Sequence, residues 1–218
     1  MDATDEESVK AAARHVGGID GKLDILLSSA GFAASRRDPD FFTKKLSANE
    51  PFEPETVQNW ADMFALNTIT PFFVVRAFQS LLIKGALSRP QGTSSVINIS
   101  SVAANLQSSA SGLPVSCLRV NESRLEPSHP SSGTSFATIR DIPICVNAIS
   151  PGPFASEMAP PGFLELLLKT AIMPGLVQVP ARRHGSEAEM GITVVLLAVS
   201  NYTNRVILRV DGLSSVNP

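Results

Sequence analysis

Two serines, Ser100 and Ser101, are the residues most clearly placed for chemistry, because they directly follow an apolar run. That run, with Val96, Ile97 and Ile99 inside SSVINISS, predicts a buried parallel strand that is covered on both faces. Parallel sheets bind ligands beyond the carboxyl ends of their strands, where these two hydroxyls would lie. The pattern therefore predicts a site at this strand end. Serines also end many strands that have no function, and the sequence alone leaves that alternative open.

Two further strand-like runs end in turns of small residues. LDILLSSAG leads into Ser29, Ala30 and Gly31, and IPICVNAI leads into Pro151 and Gly152. Small residues let a ligand approach the backbone closely. An ordinary turn at the end of a strand uses the same residues, so both interpretations stand at this point.

The segment from Glu55 to Ala86 carries the strongest helical signal, with apolar residues repeating every three and four positions. Pro71 interrupts it and should kink the helix near Asn67, because a proline ring clashes with the carbonyl four residues before it. Asn67 is thus a polar residue at a helix defect. It either satisfies freed backbone groups or takes part in a site.

The order of the predicted elements gives the fold class. In the first half we expect a helix over Asp5–His15 stopped by Gly17 and Gly18, a strand over Leu23–Leu27, a surface loop over Ala33–Pro54, the long helix, and the strand ending at Ser101. Residues 117–140 should be irregular. In the second half we expect a strand over Ile142–Ile149, a short helix over Phe163–Thr170, a helix opened by a capping box at Ser186 and Glu189, and a strand over Arg205–Val210. Alternating strands and helices predict a three-layer α/β fold with a parallel sheet, in a single domain over residues 1–218.

Composition excludes several classes of function. Of the 218 residues, 44% are hydrophobic and 17% charged, which is typical of a globular chain, and the net charge of −2 argues against a nucleic-acid partner. Cys117 and Cys145 form neither a metal-ligand spacing nor a disulfide framework, so we expect no metal and a reducing compartment. The apolar runs are too short to span a membrane, and the acidic start is not typical of a signal peptide. We therefore expect a cytoplasmic protein.

The order of five segments and a final strand resembles the short-chain dehydrogenase/reductase family. The segments are LDILLSSAG, WADMFALNTITPFF, VINISSVAA, VNAISPGPFASEM, the capped helix and ILRVDG. The likeness is greatest to reductases of the 3-oxoacyl carrier-protein type. It implies a Rossmann-like fold, NAD or NADP as cofactor, and reduction of a small-molecule carbonyl or oxidation of a secondary alcohol. It also implies a homo-oligomer, or association with an intact relative.

The resemblance assigns roles to individual residues. It implies that Asn67 holds a water of the proton relay and that Ser101 hydrogen-bonds the substrate carbonyl. The residues that it places beside the cofactor are Asp2 near the adenine, Ser29, Ala30 and Gly31 near the ribose, and Pro151, Gly152, Phe154 and Ser156 against the nicotinamide.

Two departures from the family pattern bear on activity. At the positions of the family's catalytic Tyr and of the Lys four residues later, this chain has Cys117 and Asn121; its only tyrosine is Tyr202. The chain also begins near the end of the family's third strand, so we expect an incomplete sheet without the first strands or the glycine-rich phosphate loop. We expect a truncated, impaired enzyme. The alternatives are an inactive binding or scaffolding subunit, a truncated product without activity and, less favoured, a reactive thiol at Cys117.

The aperiodic segment over residues 117–140 suggests a further hypothesis. With permitted codons, a one-base shift across residues 125–134 encodes an apolar, helix-like sequence of the kind that the family has after its Tyr and Lys. We therefore hypothesise that this segment is read out of frame or through a misplaced splice boundary.

Overall fold

The computed structural model describes residues 1–32, 53–90, 92–102, 143–157 and 179–213, together with residues 40, 41, 44, 47, 162, 164, 165 and 168. The described elements are α1 (Glu6–Ile19), β1 (Ile25–Ser28), α2 (Val57–Phe64), a π-helix (Ala65–Ile69), α3 (Thr70–Leu87), β2 (Ser94–Ile99), β3 (Ile144–Pro151), α4 (Glu187–Val199) and β4 (Ile207–Val210). The four strands form one parallel sheet in the order β1-β2-β3-β4. The predicted α/β class with a parallel sheet is confirmed.

β2 and β3 form the centre of the sheet, and their burial explains their composition. They pair in parallel from Ser94 opposite Ile144 to Ile99 opposite Ile149. The first seven of the eight residues of β3 are buried, as are the first four of β2. Strands covered on both faces need apolar residues at consecutive positions, which is the pattern that predicted them.

Helices cover the two faces of the sheet. Val96, on one face of β2, packs in a cluster with side chains of α1 and α3, among them Val9, Phe78 and Leu82. Ile97 points to the opposite face, as alternation along a strand requires, and packs with Leu197 of α4. The sheet therefore lies between two helical layers.

The predicted defect at Asn67 is present in the long helical run. Residues Ala65–Ile69 form a π-helix between α2 and α3, and Pro71 lies in the first turn of α3. Proline has no backbone N–H to donate to the carbonyl four residues earlier, so the regular α-helical ladder is interrupted there. The combined run Val57–Leu87 is long and apolar enough to cross a membrane. In this fold, α3 instead packs its apolar residues against the sheet.

Two expectations about the amino-terminal half are wrong. α1 does not stop at its glycines but runs through Gly17 and Gly18 to Ile19. Gly17 lies against α3, where an added Cβ would be 3.4 Å from the Leu81 side chain. Phe41, inside the predicted surface loop, is only 1% exposed, because a large apolar ring favours burial even among polar neighbours.

Several predictions concern residues outside the described ranges. These are the irregular segment 117–140, most of the helix over Phe163–Thr170 and most of the loop 33–54. The single-domain organisation of residues 1–218 also stays a prediction. The helix opened by Ser186 and Glu189 has both hydrogen bonds of a capping box, as predicted.

Candidate active site at the carboxyl ends of the strands

The parallel sheet brings the ends of its strands to one edge. The backbone N–H of Ser100, just beyond β2, donates to the carbonyl of Ile149 at 2.8 Å. The N–H of Gly152, just beyond β3, donates to the carbonyl of Val210 at 2.9 Å. These bonds tie the turns after β2 and β3 to the neighbouring strands. The turns carrying Ser101 and Gly152 therefore start from fixed positions on this edge.

Asn67 connects the π-helix to the turn after β1. Its Oδ1 accepts a hydrogen bond from the N–H of Phe32 at 3.2 Å, and its Nδ2 donates to the carbonyl of Phe32 at 2.8 Å. One side chain thus satisfies both backbone groups of a residue that lies directly after Gly31. The helix defect places the amide at the sheet edge, where it positions the turn.

The turn itself is made of small, accessible residues. Ser29, Ala30 and Gly31 are all exposed, and a Cβ added at Gly31 would lie 3.3 Å from Oδ1 of Asn67. Glycine therefore suits the close approach of the turn to the π-helix. The small side chains leave the backbone of this turn open to a ligand.

Within the described ranges, three buried side-chain oxygens have no hydrogen-bond partner, and two of them are close in sequence or strand pairing to residues of the site. They are Oδ1 of Asn98, a residue opposite Ser28 in the strand pairing, and Oγ1 of Thr68, which follows Asn67 in the π-helix. An unsatisfied buried polar atom costs about 1–3 kcal/mol. Such atoms are typically satisfied by an ordered water or a ligand. These two oxygens could therefore each accept a hydrogen bond from a bound molecule.

The turn after β3 packs against a segment that the sequence did not indicate. The N–H of Gly185 donates to the carbonyl of Pro153 at 2.9 Å, and Phe154 pairs with Gly185 in a parallel bridge. A Cβ at Gly185 would overlap the Phe154 ring, so a larger residue there would force the ring to move. The one signal that could have indicated this contact was a lone glycine after the charged residues 182–184, which by itself is also typical of a loop.

Comparisons with known proteins identify the family. Residues 1–113, more than half of the chain, match the short chain dehydrogenase family. The chain belongs to this family. It is 28% identical over 229 residues to the short-chain dehydrogenase/reductase SAT3 of Stachybotrys chartarum, covering 97% of this chain and 82% of the relative. It is 32% identical over 106 residues to the short chain dehydrogenase tazN of Aspergillus terreus, covering 49% of this chain and 20% of the relative.

Two solved structures have the same fold as this chain. RhlG of Pseudomonas aeruginosa, in a complex with NADP, superposes with a TM-score of 0.75 at 23% identity, covering 99% of this chain and 75% of that one. A gluconate 5-dehydrogenase of Burkholderia cenocepacia, in complex with NADP and tartrate, gives a TM-score of 0.71 at 21% identity, covering 100% and 74%. At these identities the likeness establishes the shared architecture.

Most of the residues that the family resemblance singled out lie at the same edge of the sheet. Ser101 is half-buried after β2, Pro151, Gly152 and Phe154 are half-buried at the end of β3, and Ser156 is exposed just beyond them. Asp2 is exposed and lies before α1, where its Oδ1 accepts hydrogen bonds from the backbone and the hydroxyl of Thr4. Cys117 and Asn121 lie outside the described residues.

Tyr202, the chain's only tyrosine, lies at the opposite edge of the sheet. It stands between α4 and β4, and its neighbour Asn201 accepts a hydrogen bond at its carbonyl from Sγ of Cys145, the second residue of β3. Its other neighbour, Thr203, accepts from Asn147. Tyr202 is fully exposed at this amino-terminal edge. It therefore cannot take the place of the family's catalytic acid beside Ser101.

In the part of the chain that the structure describes, burial and ion pairs shift several pKa values. Burial raises the pKa of the Cys145 thiol near the start of β3. The Arg183 guanidinium, 2.6 Å from Oε1 of Glu189, holds the pKa of that carboxyl far below its ordinary value, with help from the N–H and hydroxyl of Ser186. On α1, Glu6 and Lys10 form an exposed pair, and each stabilises the charged form of the other. These shifts belong to structural contacts.

Proposed function

We propose that this chain is a short-chain dehydrogenase that binds NADP or NAD at the strand ends but converts carbonyls and alcohols far more slowly than a member with the complete catalytic set. One observation carries the proposal. The chain's only tyrosine, Tyr202, lies at the amino-terminal edge of the sheet, whereas Ser101 lies at the carboxyl-terminal edge. The impairment is therefore one of proton transfer.

The chemistry requires three groups around the substrate carbonyl. A bound nicotinamide supplies the hydride. The Ser101 hydroxyl would donate a hydrogen bond to the carbonyl oxygen and hold it in place. An acid would then protonate the oxygen as negative charge develops, and such general acids typically contribute about 10²–10⁴-fold to the rate. At the matching positions, Cys117 is a weak proton donor and Asn121 carries no charge.

Support for cofactor binding comes from the end of β1. The exposed turn Ser29–Gly31 leaves its backbone accessible, and Asn67 holds the following residue by two hydrogen bonds. Relatives with the same fold, including RhlG, were solved with NADP. The turn after β3, with Gly152 and Phe154, would complete the contact on the nicotinamide side.

The substrate that we propose is a small carbonyl compound, in keeping with the likeness to 3-oxoacyl carrier-protein reductases. Among relatives of the same fold, two are described as gluconate dehydrogenases. Polyhydroxy acids are therefore the second substrate class to test beside small carbonyl compounds. A panel that contains a 3-oxoacyl thioester, a simple ketone and a sugar acid separates these classes.

The cofactor proposal is tested by fluorescence titration with NADPH. We expect a Kd in the micromolar range and at least about tenfold weaker binding for Ala30→Phe, which fills the exposed turn with a ring. The matched control is Ala11→Phe, which places the same ring on the exposed side of α1 and should leave binding unchanged. Absence of binding at millimolar NADPH, or equal loss in both variants, contradicts the proposal.

The impairment is tested by turnover with the same panel and saturating NADPH. We expect a rate lower by about 10²–10⁴ than that of a relative with Tyr and Lys, measured side by side. Ser101→Ala should lower what remains. A rate equal to that of the complete relative contradicts the proposed loss of the acid.

A second candidate is an inactive binding or scaffolding subunit, which the position of Tyr202 at the far edge from Ser101 also supports. It predicts no turnover and no NADPH binding, together with a stable complex with an intact relative on co-expression. Binding of NADPH by the isolated chain would contradict it.

A further inference from the structure

Among the strands that the structure describes, β1 lies at one edge of the sheet and pairs with β2 on its inner side. The N–H of Ser95 donates to the carbonyl of Asp24 at 3.0 Å, so the backbone of Asp24 faces β2. Successive residues of a strand direct their backbone groups to opposite sides. The N–H and carbonyl groups of Ile25 and Leu27 therefore point away from β2, and two donors and two acceptors stand at this edge.

The edge carries none of the features that usually protect an edge strand, which are charged residues, proline and bulges. β1 reads ILLS, and its pairing with β2 is continuous over all four residues. No charged residue occurs from Ile25 to Ser35. Ile25 and Leu27 are 38% and 42% exposed. The edge thus combines the backbone groups and the apolar side chains that an added strand would contact.

α1 limits what can lie beside this edge. It packs on α3, where an added Cβ at Gly17 would lie 3.4 Å from the Leu81 side chain. The carbonyl of Leu81 accepts a hydrogen bond from the N–H of Leu23, just before β1, so α1 lies on the β1 side of α3. Packed helices lie about 8–10 Å apart and paired strands about 4.8 Å apart. α1 therefore covers one face of the position next to β1.

The position of α1 argues against a second copy of this chain at the same edge. If two β1 edges paired about a two-fold axis, both α1 helices would lie on the same face of the joined sheet, about one strand spacing apart. A helix with its side chains is about 10 Å wide, so the two helices would overlap. The edge has room for a strand that brings no helix of its own on that face.

We infer that the β1 edge binds a single extended segment of another polypeptide, which adds to the sheet beside β1. Its backbone exchanges hydrogen bonds with Ile25 and Leu27. The segment is uncharged, because a charge buried beside ILLS would lose its hydration without gaining a partner. Its alternate side chains are apolar, since one set lies beside Ile25 and Leu27 and the other set faces α1. Four backbone hydrogen bonds and a short apolar strip predict a weak complex, with a Kd of about 0.1–1 mM.

Backbone amide exchange of the full chain, measured by NMR, tests the pairing. The probe is a capped peptide with the sequence of residues 94–100, SSVINIS, because the same sequence in β2 already pairs with the inner side of β1. At saturating peptide, exchange at the amides of Ile25 and Leu27 should slow by at least about tenfold, whereas Leu26 and Ser28, which face β2, should change little. Absence of protection at millimolar peptide, or equal protection at all four amides, would overturn the proposal.

A proline variant tests the role of the outward N–H groups. Leu27→Pro removes one of them, and proline is tolerated on an edge strand where its nitrogen faces outward. We expect unchanged circular dichroism and peptide binding at least about tenfold weaker. The matched control is Val57→Pro, since Val57 is 89% exposed at the first position of α2, where proline is favoured. Equal binding by the two variants would contradict the proposal.

Modified peptides provide a test that leaves the protein unchanged. N-methylation at every second residue blocks the donors on one side of a strand, so one of two complementary N-methylated peptides should lose binding and the other should keep it. Equal behaviour of the two peptides would overturn strand addition. Protection of Ile25 and Leu27 that appears without peptide and rises with protein concentration would show that a second copy occupies the edge, and would also overturn the proposal.

Discussion

At the scale of single residues, Asn67 shows how one side chain can define the geometry of a site. It lies in the π-helix, and its amide binds both backbone groups of Phe32, next to the proposed cofactor turn. The role implied by the family resemblance, holding a water of the proton relay, stays a prediction. The amide of the side chain is a positioning group for the turn.

Replacing that amide should loosen the turn. Asn67→Ala is expected to lower the free energy of unfolding by about 1–3 kcal/mol, because two half-buried hydrogen bonds are lost. It should also weaken NADPH binding. Urea unfolding and NADPH titration measure the two effects. Gln58→Ala, which removes one exposed hydrogen bond to Asp62, is the matched control and should change stability by about 0.5 kcal/mol or less. Equal effects of the two variants would contradict this role.

Cys145 provides a second test at residue scale. It is 6% exposed, and burial raises the pKa of its thiol, so the reactive thiolate is scarce in the folded chain. Labelling with iodoacetamide followed by peptide mass spectrometry should leave Cys145 unmodified until urea unfolds the chain. Rapid labelling of Cys145 in the folded chain would show that this strand opens readily.

At the scale of the elements, the capping box fixes the start of α4. Ser186→Ala should cost about 1 kcal/mol, the usual effect of losing an N-cap hydroxyl. Circular dichroism during urea unfolding measures the loss. Glu187→Ala, which changes an exposed residue of the same first turn and leaves both hydrogen bonds of the capping box in place, is the comparison and should cost less.

The ion pair beside the capping box predicts a pH dependence. Arg183 and Ser186 lower the pKa of Glu189 below its ordinary value of 4.5, so the folded chain favours the ionised carboxylate. The stabilisation is therefore complete above about pH 4.5 and declines as the pH falls below it. The difference in unfolding free energy between the parent chain and Glu189→Gln should shrink over that acidic range. A difference that is independent of pH would contradict the pairing.

Replacing glycine by alanine should change the free energy of unfolding in opposite directions at two positions in helices. A Cβ at Gly85 in α3 would overlap the Leu23 carbonyl, whereas a Cβ at Gly18 in α1 meets no atom within 4 Å. Gly85→Ala should therefore destabilise the fold by about 1–3 kcal/mol through overpacking. Gly18→Ala should stabilise it by up to about 1 kcal/mol through helix propensity. Urea midpoints of the two variants should move in opposite directions; a shift in the same direction would contradict the packing of α3 on Leu23.

At the scale of the whole molecule, the sequence predicted those features of the fold that depend on residues close together in the chain. The apolar runs around Ile97 and Val146 had to be buried strands, Pro71 had to interrupt its helix, and Ser186 with Glu189 had to open one. The contacts of Gly17 with α3 and of Phe154 with Gly185 depend on segments far apart in sequence. No local signal could predict them.

In the candidate site, too, the sequence predicted some features and could not predict others. The strand ends that carry Ser101 and Gly152 were predictable, because parallel strands must bring their ends together. The double hydrogen bond from Asn67 to Phe32 was not, since a half-buried asparagine in a helix has many possible partners. The position of Tyr202 at the far edge followed only from the complete path of the chain.

The segment over residues 117–140 makes a prediction about the gene. If it is read out of frame, the transcript should contain a frame with a tyrosine, a lysine four codons later and an apolar helical pattern. Sequencing the transcript and the genomic locus measures this directly. Absence of such a frame and of an alternative splice boundary would reject the hypothesis.

The purely parallel sheet also governs how fast this chain can fold. Its strand pairs join distant parts of the chain, such as Ile25 with Ser95, Ser94 with Ile144 and Ala148 with Ile207. Each pairing must first close a long loop, whose entropy is lost before any contact compensates for it. Refolding from urea should therefore be slow, on a scale of about milliseconds to seconds or longer. Until the last strand joins, the apolar segments stay open to aggregation, so yield should fall with rising protein concentration and recover with a chaperone.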